Sequence, residues 1–136
     1  MNKLFVLSTL LLVTVAIANA DYSVGNSPVS ISQTLMSSWS DDTGSYTVWQ
    51  AIITNKSDFT IFDASIIADR GTLELRQPTD LWALRRKYDN VYGFPTYNTD
   101  YGVASGGSFK FGYINRSTHP ARWTIADVRF KSESQS

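Results

Sequence analysis

Residues 29–55 constrain the fold more than any other stretch. Val29, Ile31, Gln33 and Leu35 alternate with Ser30, Ser32 and Thr34. A period of two is that of a β-strand with one buried face. Thr47, Trp49, Ala51 and Ile53 then alternate with Tyr46, Val48, Gln50, Ile52 and Thr54. Ser40–Ser45 (Ser-Asp-Asp-Thr-Gly-Ser) between them has turn chemistry. Two strands joined by a polar turn follow. Trp49 falls in mid-strand on the apolar face, where a core tryptophan belongs. Trp39 and Tyr46 instead flank the turn, and Tyr46 shares its face with Gln50 and Thr54.

The rest of the chain extends the same pattern. After a turn at 55–59 comes a strand over 60–68. Residues 69–106 hold Gly71, Pro78, Gly93, Pro95 and Gly102 and many of the rings, including Trp82, Tyr92, Phe94 and Tyr97. Short strands are expected at 72–76, 81–84 and 92–97. Ser108–Asn115 alternates Phe109, Phe111 and Tyr113 with Lys110 and Gly112. A turn over 116–120 leads to a last strand over 121–130, with Trp123 and Ile125 on one face. No stretch repeats another. Many short strands with Gly and Asn turns make this an all-β chain, an antiparallel β-sandwich.

The first twenty residues stand apart. Lys3 supplies a basic start, Leu4–Ile17 an apolar run and Ala18-Asn19-Ala20 a small-x-small cleavage site. The run is shorter than the roughly 20 residues of a membrane span. The expected organisation is a signal peptide over 1–20 and a single domain over 21–136. That implies a secreted, extracellular protein with no membrane attachment after cleavage. The chain has no Cys and so no disulfide. Asn55-Lys56-Ser57 and Asn115-Arg116-Ser117 match the glycosylation sequon, each at a strand end where a surface turn is expected. Asn26-Ser27-Pro28 fails the rule at its proline.

Charge and residue inventory exclude several functions. Twelve basic residues balance twelve acidic ones, so no electrostatic footprint for nucleic acid exists. Arg85-Arg86-Lys87 reads as a solvated edge. The one histidine, His119, lies in the turn sequence Ser117-Thr118-His119-Pro120, a poor setting for a general base. With no Cys and no second His, neither a metal site nor a cofactor is expected. Glycosidase chemistry wants two carboxylates across a cleft. Beyond the first twenty residues the only glutamates are Glu74 and Glu133, and the adjacent pair Asp41-Asp42 lies in a turn. The expectation is a protein without catalytic residues, not an enzyme.

The rings remain. Trp49, Phe109, Phe111, Tyr113 and Trp123 sit on alternating apolar faces and read as core. Trp39, Tyr46, Trp82 and Tyr97 have polar neighbours and read as exposed, and exposed aromatics in a group mark an interaction surface. A β-linked glucan suits such a surface. Its axial C–H bonds stack on rings, and its hydroxyls bond polar side chains at the rim.

Several segments together resemble carbohydrate-binding module family 49, the cellulose-binding β-sandwich found in plant endoglucanases and in secreted proteins of social amoebae. They are Ile31-Ser32-Gln33 through Ser37-Ser38-Trp39, Tyr46 through Thr54-Asn55, Leu81-Trp82-Ala83-Leu84, Phe94-Pro95, Gly107 through Ile114, and Pro120-Ala121. The resemblance implies a non-catalytic module that binds cellulose or a related β-glucan. It assigns the platform to Trp39, Tyr46 and Trp82. Tyr97 stands where the family often has Trp. The segment over 70–92 is longer than in the plant modules. Two rivals stay open: an adhesive protein whose aromatic surface meets another protein, and a small wall-modifying enzyme.

Overall fold

The computed structural model describes residues 20–21, 28–95 and 102–131. The strands are β1 (Ala20–Asp21), β2 (Val29–Asp41), β3 (Gly44–Asn55), β4 (Ile61–Ala68), β5 (Leu81–Trp82), β6 (Arg85–Tyr88), β7 (Val91–Gly93), β8 (Ser108–Asn115) and β9 (Trp123–Phe130). A 3₁₀ turn, Pro78–Asp80, precedes β5. One sheet has the order β1-β2-β3-β8-β5 and the other β9-β4-β7-β6. All their strand pairs are antiparallel, so the fold is the antiparallel β-sandwich expected from the alternation.

Each sheet contributes its alternate residues to the core. Val29, Ile31, Leu35, Trp49, Ala51, Ile53, Phe111 and Tyr113 come from the first sheet; Ala64, Ile66, Ala68, Tyr92 and Trp123 come from the second. Trp123 is the centre of this contact. It meets Phe111 edge-on at 5.1 Å, Tyr113 at 5.6 Å and Tyr92 at 6.0 Å. Edge-to-face contacts of this kind add to the gain from area burial.

Gln33 occupies an apolar-face position of β2 yet is fully buried. Its Nε2 donates to the Ala121 carbonyl at 2.8 Å. The Tyr113 hydroxyl donates to Gln33 Oε1 and accepts from the Ala121 N–H at 2.8 Å. This closed circuit gives each of its buried polar atoms a partner, as low-dielectric polar groups require. It also fixes the chain entering β9 against the centre of the first sheet.

Residues 69–80 cross from β4 in the second sheet to β5 in the first. Asp69 N–H donates to the Arg122 carbonyl, Leu75 bridges Asn115, and Arg116 N–H donates to the Glu74 carbonyl. Of the strand expected over 72–76, only that bridge forms. The strand expected over 81–84 ends at Trp82, because Ala83 takes the left-handed conformation (φ 73°). Arg85-Arg86-Lys87, expected as a solvated edge, opens the edge strand β6. Lys87 Nζ lies 3.3 Å from Asp63 Oδ2 and donates to the Ala64 carbonyl.

Candidate functional site

The site lies on the outer face of the first sheet, and a single bulge creates it. Leu35 pairs with Trp49, but Ser37 pairs with Val48. Met36 is therefore the extra residue of a β-bulge. Continued alternation from Val29 through Leu35 would turn Trp39 into the core. The extra residue reverses the parity beyond it. Trp39 then pairs with Tyr46, which has the parity of the outward residues Val48 and Gln50. Trp39 is 37% exposed.

Trp82 reaches the same face from the other side. β5 pairs with β8, Leu81 opposite the inward Tyr113 and Trp82 opposite Gly112. Gly112 in turn pairs with Gln50. Trp82 is 45% exposed, and its indole leans across Gly112. A Cβ on residue 112 would fall 2.5 Å from indole Cε2 and 2.6 Å from Nε1. Glycine is required there by close approach. The rows of Trp39 and Trp82 are four residues apart along β3, about 13 Å, and three strand spacings apart across the sheet, about 14 Å. Gln50, Val48 and Ile114 lie between, a ground of mixed polarity under a diagonal line.

Tyr46 takes a different place from the exposed ring expected. It is 1% exposed. Trp39 stacks on its ring at a centroid distance of 5.2 Å and an interplanar angle of 21°. The Arg76 guanidinium carbon lies over the same ring, 5.7 Å from its centroid. Tyr46 thus supports Trp39 rather than offering a face to solvent. Its hydroxyl is 2.5 Å from Thr43 Oγ1, which also lies 2.6 Å from Asp41 Oδ1. The line runs from Tyr46 through Thr43 to the carboxylate, with Thr43 donating to Asp41. The Thr43 hydroxyl, and then its N–H, hold the Asp41 carboxyl below its ordinary value. Tyr97 lies outside the described residues.

The two sequon asparagines are corrected more sharply. They were expected on surface turns, and both are buried, Asn55 at 1% and Asn115 at 0% exposure. Asn55 Nδ2 donates to the Phe59 and Val103 carbonyls, and its Oδ1 accepts from Ser57 N and Oγ. Asn115 Nδ2 donates to the Thr72 and His119 carbonyls, and its Oδ1 accepts from Glu74 N. Each Nδ2 has both hydrogens engaged inside the fold. A glycan on that nitrogen would remove one of them and force the turn open. The sequon spacing here serves turns that close the strand ends.

Other exposed rings escaped the sequence reading. Phe59 and Phe130 meet edge-on at 6.2 Å, at the opposite end of the sandwich from Trp39. Tyr88 projects from the edge strand β6. None shares the face of Trp39 and Trp82. A cavity of about 310 Å³ opens beside Ala68, Asp69, Leu73, Leu75 and Tyr92, with the Arg70–Asp89 ion pair at its rim.

A β-sandwich that presents tryptophans on one sheet face, propped from beneath by a buried tyrosine, has the form of a sugar-binding module. The model of the family described as carbohydrate binding domain CBM49 matches residues 29–117, and the chain belongs to that family. The matched span holds the bulged hairpin, β5 with Trp82, and β8 with Gly112. No curated protein and no solved structure matches the chain.

Proposed function

We propose that the protein is a secreted, non-catalytic module that binds cellulose or a related β-glucan on the outer face of the first sheet. The observation that carries this reading is the placement of Trp39 and Trp82 on one face. One arrives there by a bulge, the other by a glycine. Membership in a carbohydrate-binding family makes a polysaccharide the ligand class. Two rings set diagonally over a polar and apolar ground suit an extended chain better than a single sugar. Gln50, paired with Gly112 in the row of Trp82, offers an amide beside that line to the hydroxyls of such a chain.

Each stacked ring that hides roughly 80–100 Å² contributes about 2–2.5 kcal/mol at ~25 cal/mol per Å². Two rings give about 4–5 kcal/mol before association costs, so one module binds weakly. Weak binding is effective on an insoluble lattice, where sites are dense. The secretory reading of residues 1–20 supports a module that works outside the cell, in a matrix, coat or wall.

Tryptophan emission of the protein without residues 1–20 tests this reading. Soluble cello-oligosaccharides should shift the emission and protect it from iodide quenching. Incubation with amorphous cellulose should release no reducing ends. Unchanged quenching would favour the adhesive alternative, and released reducing ends would favour the enzymatic one.

A further inference from the structure

We infer that Arg76 and Asp80 form an ionic brace that positions Trp39 and Trp82 relative to each other; the inference rests on the carbohydrate-binding reading of that face. Arg76 Nε lies 3.1 Å from Asp80 Oδ2, and Nη2 lies 3.4 Å from Oδ1. Asp80 is buried and also accepts from Gln77 Nε2 at 3.4 Å. A carboxylate so placed is strongly destabilising without its cation. The pair therefore fixes the guanidinium in direction as well as in place, since a planar fork has few ways to meet a carboxylate.

The guanidinium touches both arms of the site. On one side it lies over the Tyr46 ring on which Trp39 stacks. On the other its partner Asp80 closes the 3₁₀ turn Pro78–Asp80, and the next two residues are Leu81 and Trp82. Arg76 itself follows Leu75, which is bridged to Asn115 at the end of β8. One ion pair thus joins the prop beneath the first tryptophan to the turn that delivers the second. Trp39 and Trp82 come from strands that are not neighbours in the sheet. Without the pair, Trp39 would rest on its stack with Tyr46 and Trp82 on the two-residue strand β5 and its seat on Gly112, with no side-chain link between the two. Holding both rings before the ligand arrives removes an ordering cost from binding.

The test uses Arg76→Met, Arg76→Lys and the neutral pair Arg76→Met/Asp80→Asn, each in the wild-type and Trp39→Ala backgrounds. Far-UV circular dichroism and thermal melts confirm folding, and the neutral pair avoids an unpaired buried carboxylate. The near-UV band of the Trp39–Tyr46 stack should fall in Arg76→Met and in the neutral pair. Arg76→Lys, which keeps the charge but not the fork, should restore part of it. Affinity for regenerated cellulose should fall about threefold to tenfold in the wild-type background, the size of one or more side chains left to be ordered on binding. It should fall no further in the Trp39→Ala background.

Equal losses in both backgrounds would show that Arg76 acts without the Trp39 stack, by touching the ligand or through Trp82 alone, and would overturn the brace. No loss in either would overturn it as well. A wild type that ignores cellulose would sink the functional reading, and the near-UV band would still decide the brace: unchanged in Arg76→Met, it contradicts the brace on its own.

Discussion

The indole of Trp82 lies across the backbone of Gly112, closer than any side chain on residue 112 would allow. The glycine belongs to β8 and the tryptophan to the edge strand β5, which is only two residues long. A short edge strand holds a large exposed ring poorly by its own ladder bonds. Contact with the neighbouring strand takes over that task.

Gly112→Ala should therefore act on the site more than on the fold. The new methyl forces the ring off β8, an overpacking cost of about 1–3 kcal/mol if the indole could not move. Trp82 is partly exposed and can swing outward, so the melt should shift by less than that range implies. Cellulose retention should fall nearly as far as in Trp82→Ala. Retention at the wild-type level would mean that the seat on Gly112 is irrelevant to binding.

The core circuit supplies the opposite case. Tyr113→Phe leaves the Ala121 N–H without its acceptor and Gln33 Oε1 without its donor. Stability should drop by about 1–3 kcal/mol in urea denaturation. Binding measured well below the melt should not change, because neither group faces the outer sheet surface. A binding loss without a stability loss would contradict this division of roles.

The buried asparagines make a prediction about modification. Folded protein from a secretory host should carry no N-glycan at Asn55 or Asn115, which intact mass before and after glycosidase treatment would show. Asn115→Ala removes two donated bonds and one accepted bond inside the fold. It should cost about 2–4 kcal/mol, within the range for losing several buried partners. A native, glycosylated protein would contradict the assignment of these side chains to turn closure.

Acid should act on the hairpin through Asp41. Its folded pKa lies below the ordinary 3.8 because Thr43 donates to the ionised carboxylate. A group depressed in this way contributes stability that is present above its unfolded pKa and lost as pH falls through the folded value. The Trp39–Tyr46 near-UV signal should be flat from about pH 8 to 5 and change only below about pH 4. A transition between pH 5 and 7 would require a different titrating group.

The sequence made the architecture legible and the site only partly so. Alternation in 29–35 and 46–55 placed the core residues of β2 and β3 where the structure has them, and the charged run at 85–87 became an edge strand. The position of Trp39 was read from its polar neighbours, yet its cause is the bulge at Met36. One added residue between Leu35 and Ser37 leaves no mark, because Leu-Met followed by Ser-Ser fits either register. Tyr46 has the pattern of an exposed ring because part of its cover comes from Arg76, thirty positions away in the chain. Asn55 and Asn115 misled for a related reason. The residue types that accept a glycan are those that close a turn, and only tertiary burial separates the two uses.

Co-sedimentation with microcrystalline cellulose tests the central claim most directly, using wild type, Trp39→Ala, Trp82→Ala and the double variant at matched concentrations. Each ring contributes about 2–2.5 kcal/mol by area, so single variants should lose most of the bound fraction and the double variant nearly all. Their melting temperatures should stay near that of the wild type. A wild type left in the supernatant, or a folded double variant that still pellets with cellulose, would contradict the claim that these two tryptophans form the binding face.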